Sequence, residues 1–264
     1  MDSQTKHTLV VGGTKGIGRA VARKFASEGN RVSVIGRRTP LAPPDQDYDV
    51  IHWAVDVLNT QDLSSIWPKI TGDRGPISNV IFAQRFRGET DEWTGEIETG
   101  LTATRNIIEI LAAECDEDSN KSVVVISSIA SQYILSEQPV GYHVSKAGLD
   151  QLVRYYAATL GSNNFRVNAI SPGTVVKEES QEFYRTHESI GNMYNEITPL
   201  GRMATSEDVA GVAWLLCSQN ASFVTGQNIV VDGGLCLVGH QALARRLTGL
   251  DQIEITQQQP KEQK

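Results

Sequence analysis

An α/β fold, a doubly wound parallel sheet with helices packed on both faces in three layers, is what this 264-residue chain predicts. Two observations carry that expectation. Short β-rich runs that are apolar on both faces recur along the chain with helix-length stretches between most of them, the pattern of strands buried under helices on each side. The first of these runs ends in a cluster of glycines that opens directly into a helical pattern.

In order, 8–11 (TLVV) is the first strand, and 16–29 the first helix, with Ile17, Val21 and Phe25 four apart and Ala22 and Ala26 alongside. Further strands are predicted at 31–35, 50–55, 79–83, 122–126, 165–170 and 228–231, with helices at 102–114 and 141–161. No Pro/Gly/Ser linker and no internal repeat interrupts 7–238, so one domain is expected there, after a short polar extension over 1–6. The remaining segment, 239–264, has Leu243, Leu247 and Leu250 at helical spacing, which predicts a docked terminal helix, and ends in QQQPKEQK, too polar to bury a core and expected to be disordered.

Composition places the chain among ordinary globular proteins, since 40% hydrophobic residues are enough for a full core. A formal net charge of -7 argues against nucleic acid or an anionic membrane as partner, although a local basic cluster can still hold one phosphate. Cys115, Cys217 and Cys236 are odd in number and far apart, so neither a disulfide framework nor a metal knuckle is expected, and a reducing cytoplasm fits. The five histidines lack ligand spacing, so no metal is expected. No early segment is apolar for long enough to be a signal core or membrane span.

Gly12, Gly16 and Gly18 in VGGTKGIG follow the first strand and open the first helix. Backbone N–H groups and the helix dipole favour an anion there, and glycines let phosphates approach closely. Sites for NAD put an acidic residue at the end of the second strand, about 20 residues on, for the ribose hydroxyls. This chain has Arg37 and Arg38 there, with Lys15 inside the glycine turn. Guanidinium groups at that point bind a 2′-phosphate through charge-assisted hydrogen bonds, so NADP(H) is expected in preference to NAD(H). Asp56, after the third strand, is a candidate for the adenine amino group.

Tyr142 and Lys146 stand four apart in YHVSK within the helix predicted at 141–161, so their side chains share one face. A phenol ordinarily ionises near about 10, and an ammonium beside it favours the phenolate. Such a tyrosine can pass a proton to a carbonyl oxygen while hydride arrives at carbon. Ser128, just past the strand at 122–126, can hydrogen-bond the same oxygen, with Ser127 and Ser131 as weaker candidates.

Together these residues resemble the short-chain dehydrogenase/reductase family, close to its 3-oxoacyl-acyl-carrier-protein reductase branch. The likeness runs from about Thr8 to Gly234 and includes RVNAISPG at 166–173 and the stretch from Thr198 to Gly234. It implies a Rossmann-type seven-stranded sheet, a homo-oligomer (tetramer or dimer), and a small or carrier-bound carbonyl substrate. Ser128, Tyr142 and Lys146 are implied as the catalytic set. The implied cofactor contacts are Gly12, Thr14, Lys15, Gly16, Ile17 and Gly18 in the turn, Arg37 and Arg38, Asp56 with Val57, Ala83, and Tyr142 with Lys146. Pro172 and Gly173 are implied beside the nicotinamide, and Val175 at its carboxamide.

Three departures qualify the likeness. Where the family has Asn-Asn-Ala-Gly, this chain has Phe82, Ala83, Gln84 and Arg85. The family's catalytic asparagine falls on Gly100, and the threonine after Pro-Gly falls on Lys177. Arg85 is read as facing solvent, with entry into the pocket to meet an acidic substrate group as the alternative. The charged and aromatic segment 176–199 lies where the family's substrate lid sits and leaves the substrate unspecified. A catalytically weak, nucleotide-binding scaffold is the competing function.

Overall fold

The computed structural model describes residues 5–37, 48–88, 91–114 and 120–250. Its strands are β1 (His7–Val11), β2 (Arg31–Gly36), β3 (Val50–Ala54), β4 (Ile77–Phe82), β5 (Lys121–Ile126), β6 (Phe165–Pro172), the two-residue β7 (Val175–Val176) and β8 (Ala204–Thr205), and β9 (Asn228–Val231). Its helices are α1 (Gly16–Ser27), α2 (Thr60–Arg74), α3 (Glu92–Glu96), α4 (Ala103–Ala113), α5 (Val140–Leu160), α6 (Gln181–Thr186), α7 (Glu188–Ile197), α8 (Ser206–Cys217) and α9 (His240–Leu247). Seven strands form one sheet in the order β3-β2-β1-β4-β5-β6-β9, every pair parallel. The winding direction reverses between β1 and β4, and a crevice therefore opens beyond the strand ends at that point.

Side chains alternate across each strand, so each strand feeds two cores. Val10, Val34, Ile81 and Val124 pack with Phe25 of α1 and Val209 of α8 on one face. Leu9, Val11, Val80 and Val125 pack with Trp67 of α2, Ile107 of α4 and Val153 of α5 on the other. Each fully buried apolar side chain of this size contributes about 1.5–3 kcal/mol. Phe25 is completely buried and meets Trp214 edge-on, ring centroids 5.1 Å apart.

The seven strands of the main sheet lie within a residue or two of their predicted positions, whereas the two-residue β7 and β8 were not anticipated. α2 was not anticipated: Pro68 sits inside it and interrupts the helical pattern, although Leu63, Trp67 and Ile70 keep helical spacing and are buried. The helix predicted at 102–114 is α4, reached from α3 through a π-helical turn over Ile97–Thr102. The expected terminal helix is α9, tied to the end of α7 by Arg246, whose guanidinium donates to the Glu196 carbonyl at 3.1 Å. Among the described residues no helix is long and apolar enough to cross a membrane, and no cluster of His, Cys, Asp and Glu could hold a metal.

Candidate active site

A cleft of ≈ 650 Å³ lies over the strand ends at the crevice. Gly12, Thr14, Lys15, Gly16, Ile17, Gly18, Arg37, Asp56, Val57, Ala83, Tyr142, Lys146 and Val175 all line it, so the structure gathers residues from the first and second halves of the chain around one space. Arg38 lies outside the described residues. Ser128, Pro172 and Gly173 are not among the lining residues. Gly173 is a close-packing position instead: a Cβ there would come within 2.9 Å of Asp232 Cβ.

The floor of the cleft is the turn between β1 and α1. Gly12 has φ +80°, and a Cβ on it would come within 2.6 Å of the Gln84 backbone. A Cβ on Gly18 would overlap the Gly12 carbonyl oxygen. Only glycine therefore lets the turn pass this close to the segment after β4, and lets the start of α1 pack on the end of β1 with its N–H groups toward the cleft.

One of those N–H groups is held by the protein's own acid. Gly16 N donates to Glu179 Oε1 at 3.2 Å, and Arg19 Nη2 donates to the same oxygen at 2.8 Å. Next to it, Glu178 pairs with Arg19 at 3.0 Å and with Arg23 at 2.5 Å. Burial alone would raise the Glu179 carboxyl, but the backbone and Arg19 hydrogen bonds it accepts hold it below the usual carboxylate range. The segment from Lys177 to Ser180 thus lies across the glycine turn. In the sequence, Arg19 and Arg23 look like an ordinary solvated helix face, and nothing there marks Glu178 and Glu179 as their partners.

At the other end, Tyr142 is half-buried in the first turn of α5, and Lys146 follows one turn later, buried. Lys146 Nζ donates to the Ile126 carbonyl at 2.9 Å and lies 5.5 Å from the centre of the Tyr142 ring. Burial lowers the Lys146 ammonium to about 8, against the opposing pull of Glu96. Ser128 caps the short 3-10 turn Ile129–Ser131, its Oγ accepting from Ala130 N at 3.1 Å, which turns the side chain back onto its own backbone. Ser127 is committed to a buried network, donating to Asp150 Oδ1 at 2.6 Å.

Arg85 does not face away into solvent, contrary to the sequence reading. Its Cζ lies 4.6 Å from the centre of the Tyr142 ring, Nη2 donates to Gln138 Oε1 at 2.5 Å, and Nε is 3.9 Å from Glu96 Oε1. A guanidinium over an aromatic face is electrostatically attracted to it, and the ring supplies a surface that loop position 85 would otherwise lack. Glu96 is buried, and that burial raises its carboxyl, with Arg85 opposing the shift. Gly100 is buried, and a Cβ there would overlap Ser145 Oγ, which donates to the Glu96 carbonyl at 3.1 Å.

The model of a family described as enoyl-(acyl carrier protein) reductase matches residues 11–236. Isoepoxydon dehydrogenase patN of Penicillium expansum is 30% identical over 245 residues, covering 87% of this chain and 94% of that protein. The 3-oxoacyl-acyl-carrier-protein reductase FabG of Chlamydia muridarum is 28% identical over 246 residues, covering 87% and 97%. Among solved structures, ElxO with NADP bound superposes with a TM-score of 0.76 at 23% identity, covering 89% of this chain and 100% of that one. 4-hydroxyisoleucine dehydrogenase complexed with NADH does so at 0.78 and 23%, with the same coverage. At that identity the two structures speak for the fold. With the sheet order, the cleft and the family match in agreement, this chain is an oxidoreductase belonging to the short-chain dehydrogenase/reductase family.

Proposed function

We propose that the chain is an NADP(H)-dependent oxidoreductase that interconverts a carbonyl and a secondary alcohol, with Tyr142 moving the proton. One observation carries this: Tyr142 and Lys146, one turn apart on α5, open onto the same cleft whose floor is the glycine turn. Residues around the cleft suit a phosphorylated dinucleotide. The turn has no room for a Cβ at Gly12 or Gly18, and Lys15 and Arg37 stand where a 2′-phosphate needs cations. When bound, the nicotinamide donates or accepts the hydride.

The protein's own groups do the rest. Lys146, with its ammonium at about 8, is still mostly protonated at neutral pH, so it can hold ribose hydroxyls and place positive charge beside the phenol. Tyr142 gives its proton to the carbonyl oxygen in reduction and takes it back in oxidation. Ser128 Oγ uses a lone pair on Ala130 N–H, which leaves its own proton to donate to the same oxygen once the side chain turns to the cleft. The protein works as a homo-oligomer, a tetramer or a dimer, in the cytoplasm, and the substrate is a small or carrier-bound carbonyl compound.

The test is NADPH consumption against ketones, keto sugars and 3-oxoacyl thioesters, with nucleotide affinities measured by fluorescence. NADPH is expected to bind roughly tenfold or more tightly than NADH, and at least one carbonyl class to be reduced. Equal affinities would contradict the 2′-phosphate site. Nucleotide binding without reduction of any class would favour the scaffold.

A further inference from the structure

For a chain of formal net charge -7, the cleft is unusually basic: Lys15, Arg37, Arg85, Arg87, Lys146 and Lys177 line it against only Asp56 and Glu179. Lys15 and Arg37 stand at the adenosine end. Arg85 and Arg87 stand at the reacting end, and Lys177 lies by the glycine turn with its stem beside Gly16, where burial and then the charges of Arg87 and Arg85 lower its ammonium. Little countercharge meets them. Glu179 is committed to Gly16 N and Arg19, and Glu96 meets Arg85 only at 3.9 Å from Nε, longer than a hydrogen bond.

Arg85 is held at one place in this field. A neutral amide, Gln138, anchors Nη2 at 2.5 Å, and the Tyr142 ring lies beneath Cζ at 4.6 Å. Nη1 makes no hydrogen bond among the described residues, and the side chain is 33% exposed, on the cleft. A fixed, partly desolvated guanidinium with an open edge, on the ring of the proton donor, is matched by an oxyanion that it can grip with two N–H groups.

Building on the carbonyl-reductase function proposed above, we propose that Arg85 is a specificity-determining residue: the substrate carries an oxyanion, a carboxylate or a phosphate, close to its carbonyl, and Arg85 binds it, with Arg87 and Lys177 adding long-range attraction. The anion is then what completes the charge balance at this end of the cleft. It also sets the distance between the charged group and the carbonyl oxygen that Tyr142 meets.

The test uses the full-length protein with NADPH and ketones paired so that only charge differs. The pairs are acetoacetate and levulinate against their methyl esters, and dihydroxyacetone phosphate against dihydroxyacetone. The carboxylate and phosphate pairs separate the two sources of oxyanion. An anionic member is expected to exceed its neutral partner by about tenfold or more in kcat/KM, mostly through KM, and Arg85→Met to bring that ratio to within about threefold. Arg85→Lys, which keeps the charge without the fork, should retain part of the preference. A second readout needs no turnover. Malonate and inorganic phosphate are titrated calorimetrically into NADP+-loaded protein, whose 2′-phosphate site is already filled, and Arg85→Met should weaken the tighter of them by about tenfold.

Equal use of acids and esters by the wild type would overturn the proposal. So would an Arg85→Met variant that loses acid and ester turnover in the same proportion, because that is what a mere prop for Tyr142 would do. Should no pair be turned over, the calorimetric arm decides: Arg85-dependent anion binding supports the proposal and its absence overturns it. A protein that binds no nucleotide at all defeats the reductase function instead, and that outcome is separately recognisable.

Discussion

The two ends of the cleft are built on different principles. At the phosphate end the work falls to backbone: Gly12 and Gly18 have no room for side chains, and Gly16 N sits at the start of α1. At the reacting end the work falls to side chains. There Tyr142 and Lys146 stand among Arg85, Glu96 and Gly100. A backbone cradle tolerates few substitutions, because any Cβ collides with another chain segment. A side-chain site such as that around Tyr142 and Lys146 can change its neighbours without rebuilding the backbone.

The sharpest way to break this contrast is at Lys146. Lys146→Met should cut turnover by about 10²–10⁴-fold, the range a positioned acid–base group contributes. The same change should stabilise the free protein by roughly 1–3 kcal/mol at pH 7, because burial lowers the ammonium from 10.5 to about 8 and the folded state therefore bears a cost. The sign follows from proton counts. Between about 8 and 10.5 the unfolded chain keeps a proton at Lys146 that the folded protein has released, so this group's contribution makes stability rise with pH across that window. Denaturant unfolding at pH 7 and pH 9.5 should show stability rising more steeply, or falling less, in the wild type than in the variant. A variant that unfolds more easily at pH 7 would show that the cation is net stabilising.

Next in size is the phosphate end. Arg37→Ala should weaken NADPH about tenfold and leave NADH within about twofold, since only the former has a group for the guanidinium. Equal losses for both would place Arg37 elsewhere. Glu179→Gln should act in the opposite direction: without its charge on Gly16 N, NADPH is expected to bind about three- to tenfold more tightly, an effect that shrinks as salt rises. Unchanged or weaker binding would mean that the Glu179 contact helps hold the cleft in shape. The smallest effect concerns Gly100 and Ser145. Gly100→Ala forces Ser145 Oγ off the Glu96 carbonyl, and a double-mutant cycle with Ser145→Ala should show a coupling of about 1 kcal/mol in unfolding free energy. Additive variants would show that the side chain moves aside without loss.

The same division explains what could be seen before the fold was known. Strand and helix positions were readable because runs such as TLVV and SVVVI must be apolar on both faces of a covered sheet. The glycine turn was readable because its spacing reports a backbone constraint, and Tyr142 with Lys146 because an i, i+4 pair shares a helix face wherever the helix goes. Arg85 was misplaced for a reason of the same kind: no local pattern tells whether a loop arginine turns to water or onto a ring 57 positions away in the chain. Glu179 lies 163 positions from Gly16, beyond the reach of any periodicity. Ser128 was correctly placed at the end of β5, but its side-chain direction depends on the 3-10 turn that follows, which leaves no compositional mark.

The proton is where the account can be met head-on. Tyr142→Phe removes one oxygen and leaves the ring on which Arg85 rests, so NADPH affinity should stay within about twofold while carbonyl reduction falls by about 10²–10⁴-fold. A variant that reduces its substrate at the wild-type rate would contradict the role assigned to that phenol, and with it the mechanism proposed for this cleft.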